Sequence, residues 1–166
     1  MNKKRILLVD DEISFTRLLK LNLEQTDDYE VRVENWPEDA LSAAREFRPD
    51  LVLLDVVMPR MIGGDVAARL QADASLKATP IVFLSAVVGR KWVQEHEGTV
   101  GGFPFIAKPA SVEEVIDRIE QHLVEMPPER RSSLSAESAS TLSSAAAEAA
   151  PLARVINFQN TAALAY

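Results

Sequence analysis

The chain has 166 residues, of which 47% are hydrophobic and 26% are charged. This length and composition fit one globular domain with an appendage. No apolar stretch approaches the roughly 20 residues of a transmembrane helix. The formal net charge of −7 argues against direct nucleic-acid binding, because proteins of that class usually carry a basic face. The absence of cysteine excludes disulfides and thiol chemistry. The apolar run at residues 6–9 is too short for a signal peptide, so we expect a cytoplasmic protein without a membrane role.

Short apolar runs alternate with segments of helical period through the first 126 residues. The predicted strands cover residues 5–10, 29–34, 51–55, 80–85 and 103–107. Apolar residues at helical spacing predict helices that include Phe15, Ala40, Val66 and Val112, and a weaker helix is predicted at residues 89–97. Five strands and five helices in alternation predict a doubly wound α/β domain with a five-stranded parallel sheet.

The composition changes near Pro127-Pro128, after which serine and alanine dominate. This change predicts a domain over residues 1–126 and a Ser/Ala-rich tail over residues 127–166. Alanine favours helix, whereas serine competes for backbone hydrogen bonds, so the tail is expected to be disordered or marginally helical.

Polar side chains stand where four of the predicted strands end. They are Asp10 and Asp11 after the first strand, Asp55 at the end of the third, Ser85 at the end of the fourth and Lys108 after the fifth. Ligands of open parallel sheets bind at the carboxyl ends of strands, so these residues are expected to share one pocket. Three crowded carboxylates either raise a pKa or recruit a hard cation, for which Mg²⁺ is the natural choice.

The pocket suits phosphoryl transfer to a carboxylate. Mg²⁺ would neutralise charge during in-line transfer, and Asp55 would be the nucleophile that forms an acyl phosphate. Ser85 offers a hydroxyl and Lys108 a compact ammonium to the phosphoryl oxygens. The Lys108-Pro109 bond is a candidate cis peptide.

These residues resemble the response-regulator receiver domains of two-component signalling, the CheY-like family. The resemblance covers about residues 3–126 and rests on motifs in register: Val9-Asp10-Asp11-Glu12, Leu54-Asp55 with Met58-Pro59 and Gly63-Gly64, Ser85-Ala86, and Lys108-Pro109. It implies a flavodoxin/CheY-like fold with strand order 2-1-3-4-5. The tail shows no recognisable DNA-binding helix pair, enzymatic motif or long coiled coil, so we expect a stand-alone, single-domain response regulator.

The resemblance implies roles for the residues at the strand ends. Asp10, Asp11 and Asp55 would hold Mg²⁺ together with the backbone carbonyl of Val57. Asp55 would accept a phosphoryl group from a histidine kinase or phosphotransfer protein, assisted by Lys108. The protein would thus be a phosphoacceptor that assists its own phosphotransfer and slow dephosphorylation, rather than an enzyme.

Ser85 and Phe105 would form the switch pair of such a domain. The hydroxyl would move toward the phosphoryl group while the aromatic ring turns inward, which is a two-state population shift. The affected face comprises the helix at 89–97, the strand at 103–107 and the last helix. This face would contact a downstream protein target, and the resemblance also allows a homodimer through it.

Other interpretations stay open. Taken singly, the acidic pair suits a helix N-terminus and Phe105 suits a core. A pseudo-receiver would bind protein partners without phosphorylation. A phosphohydrolase of the haloacid-dehalogenase type would need a second acid two residues after the nucleophile, where the chain has Val57. Val57 and Val87 occupy positions that flank the attacking water in the receiver family, which predicts slow loss of phosphate.

Overall fold

The structure is a computed structural model that describes residues 3–86, 99–100 and 102–124. The strands are β1 (Lys4–Val9), β2 (Tyr29–Glu34), β3 (Leu51–Asp55), β4 (Ile81–Ser85), β5 (Thr99–Val100) and β6 (Phe103–Ala107). The α-helices are α1 (Ile13–Gln25), α2 (Ala40–Phe47), α3 (Gly63–Ala72) and α4 (Val112–Val124), and a 3₁₀ turn, Pro37–Asp39, precedes α2. The predicted helix at 89–97 and the tail at 127–166 lie outside the described residues. Among the described helices, none combines the length and the apolar character that crossing a membrane demands.

The strands form one sheet in the order β2-β1-β3-β4-β6-β5. All but β5 run parallel, which confirms the predicted five-stranded parallel sheet and its order. β5 pairs antiparallel with β6, with Thr99 opposite Pro104 and Val100 opposite Phe103. This short strand was not predicted, because two residues are too few to show the alternation that marks a strand.

The sheet is covered on both faces. Consecutive residues of β1 point to opposite sides, as the pleat requires. Leu7 and Val9 pack into the cluster that contains the buried residues of α2 and α3, whereas Ile6 and Leu8 pack into the cluster of α1 and α4. Each such leucine or isoleucine stabilises the fold by about 1.5–3 kcal/mol on burial. Coverage of both faces therefore explains why β1, β3 and β4 are almost continuously apolar.

Side chains of α1 bond the outer edge of β2. The backbone N–H of Val31 donates to Glu24 Oε1 at 3.0 Å, and Lys20 Nζ donates to the carbonyl oxygen of Val31. Lys20 and Glu24 are one helical turn apart and form an ion pair of 2.9 Å. Both outward backbone groups of Val31 are thus bonded within the chain.

The connection from β3 to α3 brings two stretches of backbone unusually close together. The N–H of Gly63 donates to the carbonyl oxygen of Val56 at 2.9 Å. A Cβ atom added at Gly63 would lie 2.1 Å from the carbonyl oxygen of Asp55, whereas one added at Gly64 would meet nothing nearer than Ile62 Cδ1 at 4.0 Å. Only glycine therefore lets the first turn of α3 pack against the end of β3.

Candidate functional site

Four parallel strands bring the predicted site residues to one edge of the sheet. Asp10 directly follows β1, Asp55 ends β3, Ser85 ends β4 and Lys108 directly follows β6. The backbone N–H of Lys108 donates to the carbonyl oxygen of Ser85 at 2.7 Å, which joins the last two strand ends. The Lys108-Pro109 bond is cis, as predicted.

Three carboxylates meet at this edge. Asp10, Asp11 and Asp55 each offer a carboxylate oxygen, and these oxygens lie within 4.8 Å of one another. Asp10 and Asp55 are buried, with exposures of 0% and 6%, whereas Asp11 is exposed. Asp10 Oδ1 also accepts the N–H of Glu12 at 2.8 Å, which fixes the orientation of its carboxylate. A compact set of oxygen donors with one solvent-facing member suits a hard cation such as Mg²⁺.

Lys108 supplies the positive charge of the site. Its Nζ pairs with Asp10 Oδ2 and lies 3.1 Å from Asp55 Oδ1. Burial alone would lower the pKa of Lys108, but the hydrogen bond to Asp10 and the charges of Asp55 and Asp10 outweigh burial and raise that pKa. The ammonium therefore stays charged at neutral pH between two of the three carboxylates.

Asp55 has a carboxyl group whose pKa is raised by its surroundings. Burial raises the pKa of Asp55 to about 6; the charge of Lys108 opposes this rise, and the carboxylates of Asp10 and Asp11 add to it. At neutral pH the Asp55 carboxyl is mostly ionised, and keeping this charge buried beside other carboxylates costs free energy. A cation or other positive charge entering the cluster would therefore be bound favourably.

The site contains an aromatic neighbour that the sequence did not predict. The ring of Phe15, on α1, lies under the ammonium of Lys108, with 4.4 Å from Nζ to the ring centroid. Phe15 was recognised only as one of the apolar residues of α1. No sequence signal relates it to a lysine that follows the last parallel strand, because their contact depends on how α1 and the chain after β6 meet in the folded domain.

The two residues of the predicted switch pair are both buried. Ser85 is 1% exposed and Phe105 is 2% exposed. The ring of Phe105 stacks on Phe83 with 5.0 Å between centroids, and Phe83 meets Phe103 edge to face at 5.3 Å. The aromatic ring of Phe105 thus already occupies an inward position in this structure.

Val57 lies two residues beyond Asp55, in the connection from β3 to α3. It is 42% exposed and therefore does not belong to the core. Val87, the second valine of the slow-dephosphorylation prediction, lies outside the described residues.

Comparison with known proteins agrees with this geometry. Residues 6–120 match the response regulator receiver domain. The chain belongs to this family. The receiver domain is 37% identical over 122 residues to the DNA-binding response regulator MtrA of Mycolicibacterium paratuberculosis, a match covering 73% of the chain and 52% of that relative. It is 35% identical over 121 residues to the uncharacterized transcriptional regulatory protein YkoG of Bacillus subtilis, covering 72% and 50%. The chain thus spans about half the length of the curated relatives it matches.

Solved structures match over nearly their whole length. The chemotaxis protein CheY4 of Vibrio cholerae is 28% identical with a TM-score of 0.62, and the match covers 72% of this chain and 98% of CheY4. A putative response regulator from Chloroflexus aurantiacus is 27% identical with a TM-score of 0.63, covering 74% and 99%. The CheY-like fold predicted from the strand-end motifs is therefore confirmed. Phosphorylation and dependence on Mg²⁺ are general properties of this family.

Proposed function

We propose that this receiver domain accepts a phosphoryl group on Asp55 from a histidine kinase or phosphotransfer protein and signals to a downstream protein. One observation carries the proposal. The buried carboxylate of Asp55 lies in a cluster with the carboxylates of Asp10 and Asp11 and the ammonium of Lys108, 3.1 Å from Lys108 Nζ. This arrangement supplies a nucleophile together with the charges that phosphoryl transfer needs.

The proposed transfer is an in-line displacement at phosphorus. A carboxylate oxygen of Asp55 forms the new O–P bond while the bond from phosphorus to the donor breaks, and the donor leaves with the electron pair. Lys108, already 3.1 Å from the acceptor carboxylate, would hold an oxygen of the arriving phosphoryl group. Mg²⁺ held by Asp10, Asp11 and Asp55, with the carbonyl of Val57, would supply positive charge against the phosphoryl oxygens.

Ser85 is the proposed moving half of the switch. Its hydroxyl stands at the end of β4, next to the strand end that carries Lys108, and can reorient toward a phosphoryl oxygen. Phe105 needs no inward turn from the buried position that it has here. Phosphorylation would then act by favouring one hydroxyl orientation and the surface that surrounds β6 and α4. A homodimer through this surface stays a prediction.

The names of the relatives bear on the output of the pathway. MtrA is named a DNA-binding response regulator, and YkoG a transcriptional regulatory protein. Those proteins are about twice as long as the region that matches, so DNA binding is kept here as a property of the relatives. The stand-alone role and signalling through protein contacts stay predictions for this chain.

Slow loss of the phosphoryl group is a second part of the proposal. Val57 is an apolar residue two positions beyond Asp55 and is 42% exposed. An apolar side chain at this position would hinder the approach of an attacking water. The double substitution Val57→Asn and Val87→Glu is expected to shorten the half-life of the phosphorylated protein. An unchanged half-life would contradict slow release.

Intact-mass measurement tests phosphoryl acceptance. The protein is incubated with MgCl₂ and acetyl phosphate, and the wild type is expected to gain one phosphoryl group with release of acetate. Asp55→Asn is expected to gain none. Asp65→Asn serves as the matched control, because Asp65 is an exposed carboxylate on α3 outside the cluster, and it should behave like the wild type.

The outcome also separates the alternatives. No gain of mass by the wild type would favour a pseudo-receiver. Continuous release of inorganic phosphate with many turnovers would favour a hydrolase. Equal gain by wild type and Asp55→Asn would place the acceptor elsewhere.

A further inference from the structure

Among the residues that the structure describes, the ammonium of Lys108 has three close neighbours, and two of them belong to the proposed chemistry. These two are the carboxylates of Asp10 and Asp55. The third is the face of the Phe15 ring, 4.4 Å from Nζ to the centroid. The Lys108 side chain is only 11% exposed, so the ring takes the place that solvent would otherwise fill. An ammonium over an aromatic face is attracted by the negative side of the ring quadrupole.

The Phe15 ring is partly buried and has fewer rotatable bonds than the lysine side chain that it contacts. Phe15 belongs to the first turn of α1 and packs against the core cluster that contains Leu19 and Ile106. A phenylalanine fixed by core packing is a rigid platform, whereas a lysine has four rotatable bonds and loses side-chain entropy when ordered. Phe15 therefore restricts where the ammonium of Lys108 can go.

Restricting the position of the Lys108 ammonium matters when a second cation enters the pocket. A cation bound by Asp10 and Asp55 would compete with Lys108 for the same two carboxylates, because both are positive. The aromatic face attracts the ammonium without offering an oxygen to that cation. When the carboxylates are taken, the ring is the neighbour of Lys108 that remains available to it.

We propose that Phe15 is a positioning residue for Lys108: its ring keeps the ammonium beside Asp55 when other positive charge occupies the carboxylates, ready to meet the phosphoryl group. This role rests on the proposed function, because it acts through Lys108 in the transfer to Asp55. With this role for Phe15, helix α1 contributes to phosphoryl transfer as well as to core packing.

The contact itself can be measured without phosphorylation. Protons of the Lys108 ε-methylene that lie over an aromatic ring are shifted upfield by its ring current, so NMR of the full chain reports the contact. We expect an upfield shift in the wild type that persists at saturating MgCl₂, is kept in Phe15→Tyr and is lost in Phe15→Leu. Lys108 protons at the position of ordinary lysines in the presence of Mg²⁺ would overturn the proposal.

The kinetic test measures phosphoryl uptake from acetyl phosphate at saturating MgCl₂ by intact mass. In this step the Asp55 O–P bond forms as the P–O bond to acetate breaks. Phe15→Leu is expected to slow uptake roughly threefold to tenfold, the size that an ammonium–ring contact can supply. Phe15→Tyr should restore the wild-type rate, because it restores the aromatic face. Equal rates for the leucine and tyrosine variants would overturn the positioning role.

Phe47→Leu is the matched control. The guanidinium of Arg5 lies over the Phe47 ring at 6.0 Å, so this variant also removes a ring from beneath a cation and from a core cluster, but away from the pocket. It should lose stability without slowing uptake. If Phe15→Leu fails to fold by circular dichroism, pentafluorophenylalanine at position 15 keeps the ring shape and reverses the charge of its face. It should slow uptake as leucine would, and a wild-type rate would overturn the proposal.

The two proposals fail in different ways. A wild type that gains no phosphoryl group overturns the proposed function, and the positioning role with it. A wild type that gains it at the same rate as Phe15→Leu overturns the positioning role alone and leaves Asp55 as the acceptor.

Discussion

The two ends of the sheet handle charge in opposite ways. At the carboxyl ends of the strands, three carboxylates share one ammonium, and one acid has a pKa raised to about 6. At the amino ends, charged groups have partners of their own. Arg5 Nη1 donates to the carbonyl oxygen of Phe47 at 2.9 Å, and the N–H of Arg5 donates to Asp50 Oδ2 at 2.8 Å. Nearby, Lys3 pairs with Asp27 at 2.6 Å.

The difference separates the part of the fold that supports binding from the part that supports stability. Buried like charges cost free energy, and a protein retains them where they serve a reaction. Matched groups at the opposite end contribute modestly to folding. Substitutions that remove a carboxylate should therefore stabilise the protein at one end of the sheet and destabilise it at the other.

The largest effect is expected where backbone, rather than charge, holds the carboxyl end together. Gly63→Ala would force a Cβ atom to 2.1 Å from the carbonyl oxygen of Asp55. We expect a loss of at least about 3 kcal/mol of unfolding free energy, because neither backbone segment can move without disturbing β3. Urea denaturation of the wild type and of Gly63→Ala measures this difference in unfolding free energy.

Gly64→Ala is the control for that substitution, since its Cβ would have room. Alanine is favoured over glycine in a helix by up to about 1 kcal/mol, so Gly64→Ala should be neutral or slightly stabilising. Similar losses for the two variants would contradict the close approach at Gly63.

The second-largest expected effect is a gain of unfolding free energy instead of a loss. Asp55→Asn removes a carboxylate that is buried among other acids, and we expect about 2 kcal/mol of added stability at pH 7 without divalent cations. Chemical denaturation in EDTA tests this. Added MgCl₂ should reduce the difference in stability between Asp55→Asn and the wild type, because a ligand that binds the native wild type stabilises that protein.

The same group gives a pH dependence with a definite direction. The pKa of Asp55 is raised from 3.8 to about 6 on folding, so its contribution to stability is present below pH 4 and is lost as pH rises through about 6. The stability gap between Asp55→Asn and wild type should therefore open between those values. A constant gap from pH 4 to pH 7 would show that burial does not raise this pKa.

At the amino end, Asp50→Ala should destabilise the protein. It removes the acceptor for the N–H of Arg5, at the beginning of β1, and leaves a partly buried donor unpaired. We expect a loss of about 1–2 kcal/mol. Asp50→Asn, which keeps an acceptor oxygen, should lose less, and denaturation of the two variants side by side decides the matter.

The smallest effect is expected at alkaline pH. Burial, with the nearby charges of Glu120 and Asp28, raises the pKa of Tyr29 from 10 to about 12, and its hydroxyl donates to Glu120. Stability from this group is present below pH 10 and is lost as pH rises through about 12. Absorbance titration of tyrosinate should show a late component that is absent from Tyr29→Phe. A component near pH 10 alone would contradict the buried hydroxyl.

Much of the fold could be predicted because its signals are local. The strand at 51–55 and the strand at 103–107 have the predicted bounds, since apolar runs between polar turns mark strands covered on both faces. β5 escaped prediction because it exists only by pairing with β6. The close approach of Gly63 to Asp55 was missed for a similar reason: a glycine pair predicts a helix start, but not the backbone that lies against it.

The site was predicted where topology alone decides it. Parallel strands must finish at the same edge, so Asp10, Asp55, Ser85 and Lys108 were expected to meet. Phe15 was not placed there, because the contact of its ring with Lys108 depends on how α1 lies across the sheet. The burial of Phe105 was one of the interpretations left open, but its stacking on Phe83 depends on the register of β6 against β4, which no periodicity reveals.

The bonded edges of the sheet bear on how copies of this protein meet. A strand with free outward N–H and C=O groups is a template for a strand from another chain, and long free edges promote aggregation. Lys20 and Glu24 occupy those groups at Val31 of β2, and β5 occupies part of the outer edge of β6. Pairing with a strand from another chain is thereby discouraged at Val31 of β2 and along the part of β6 that β5 covers. Helix and loop surfaces are then better suited to reversible recognition between molecules.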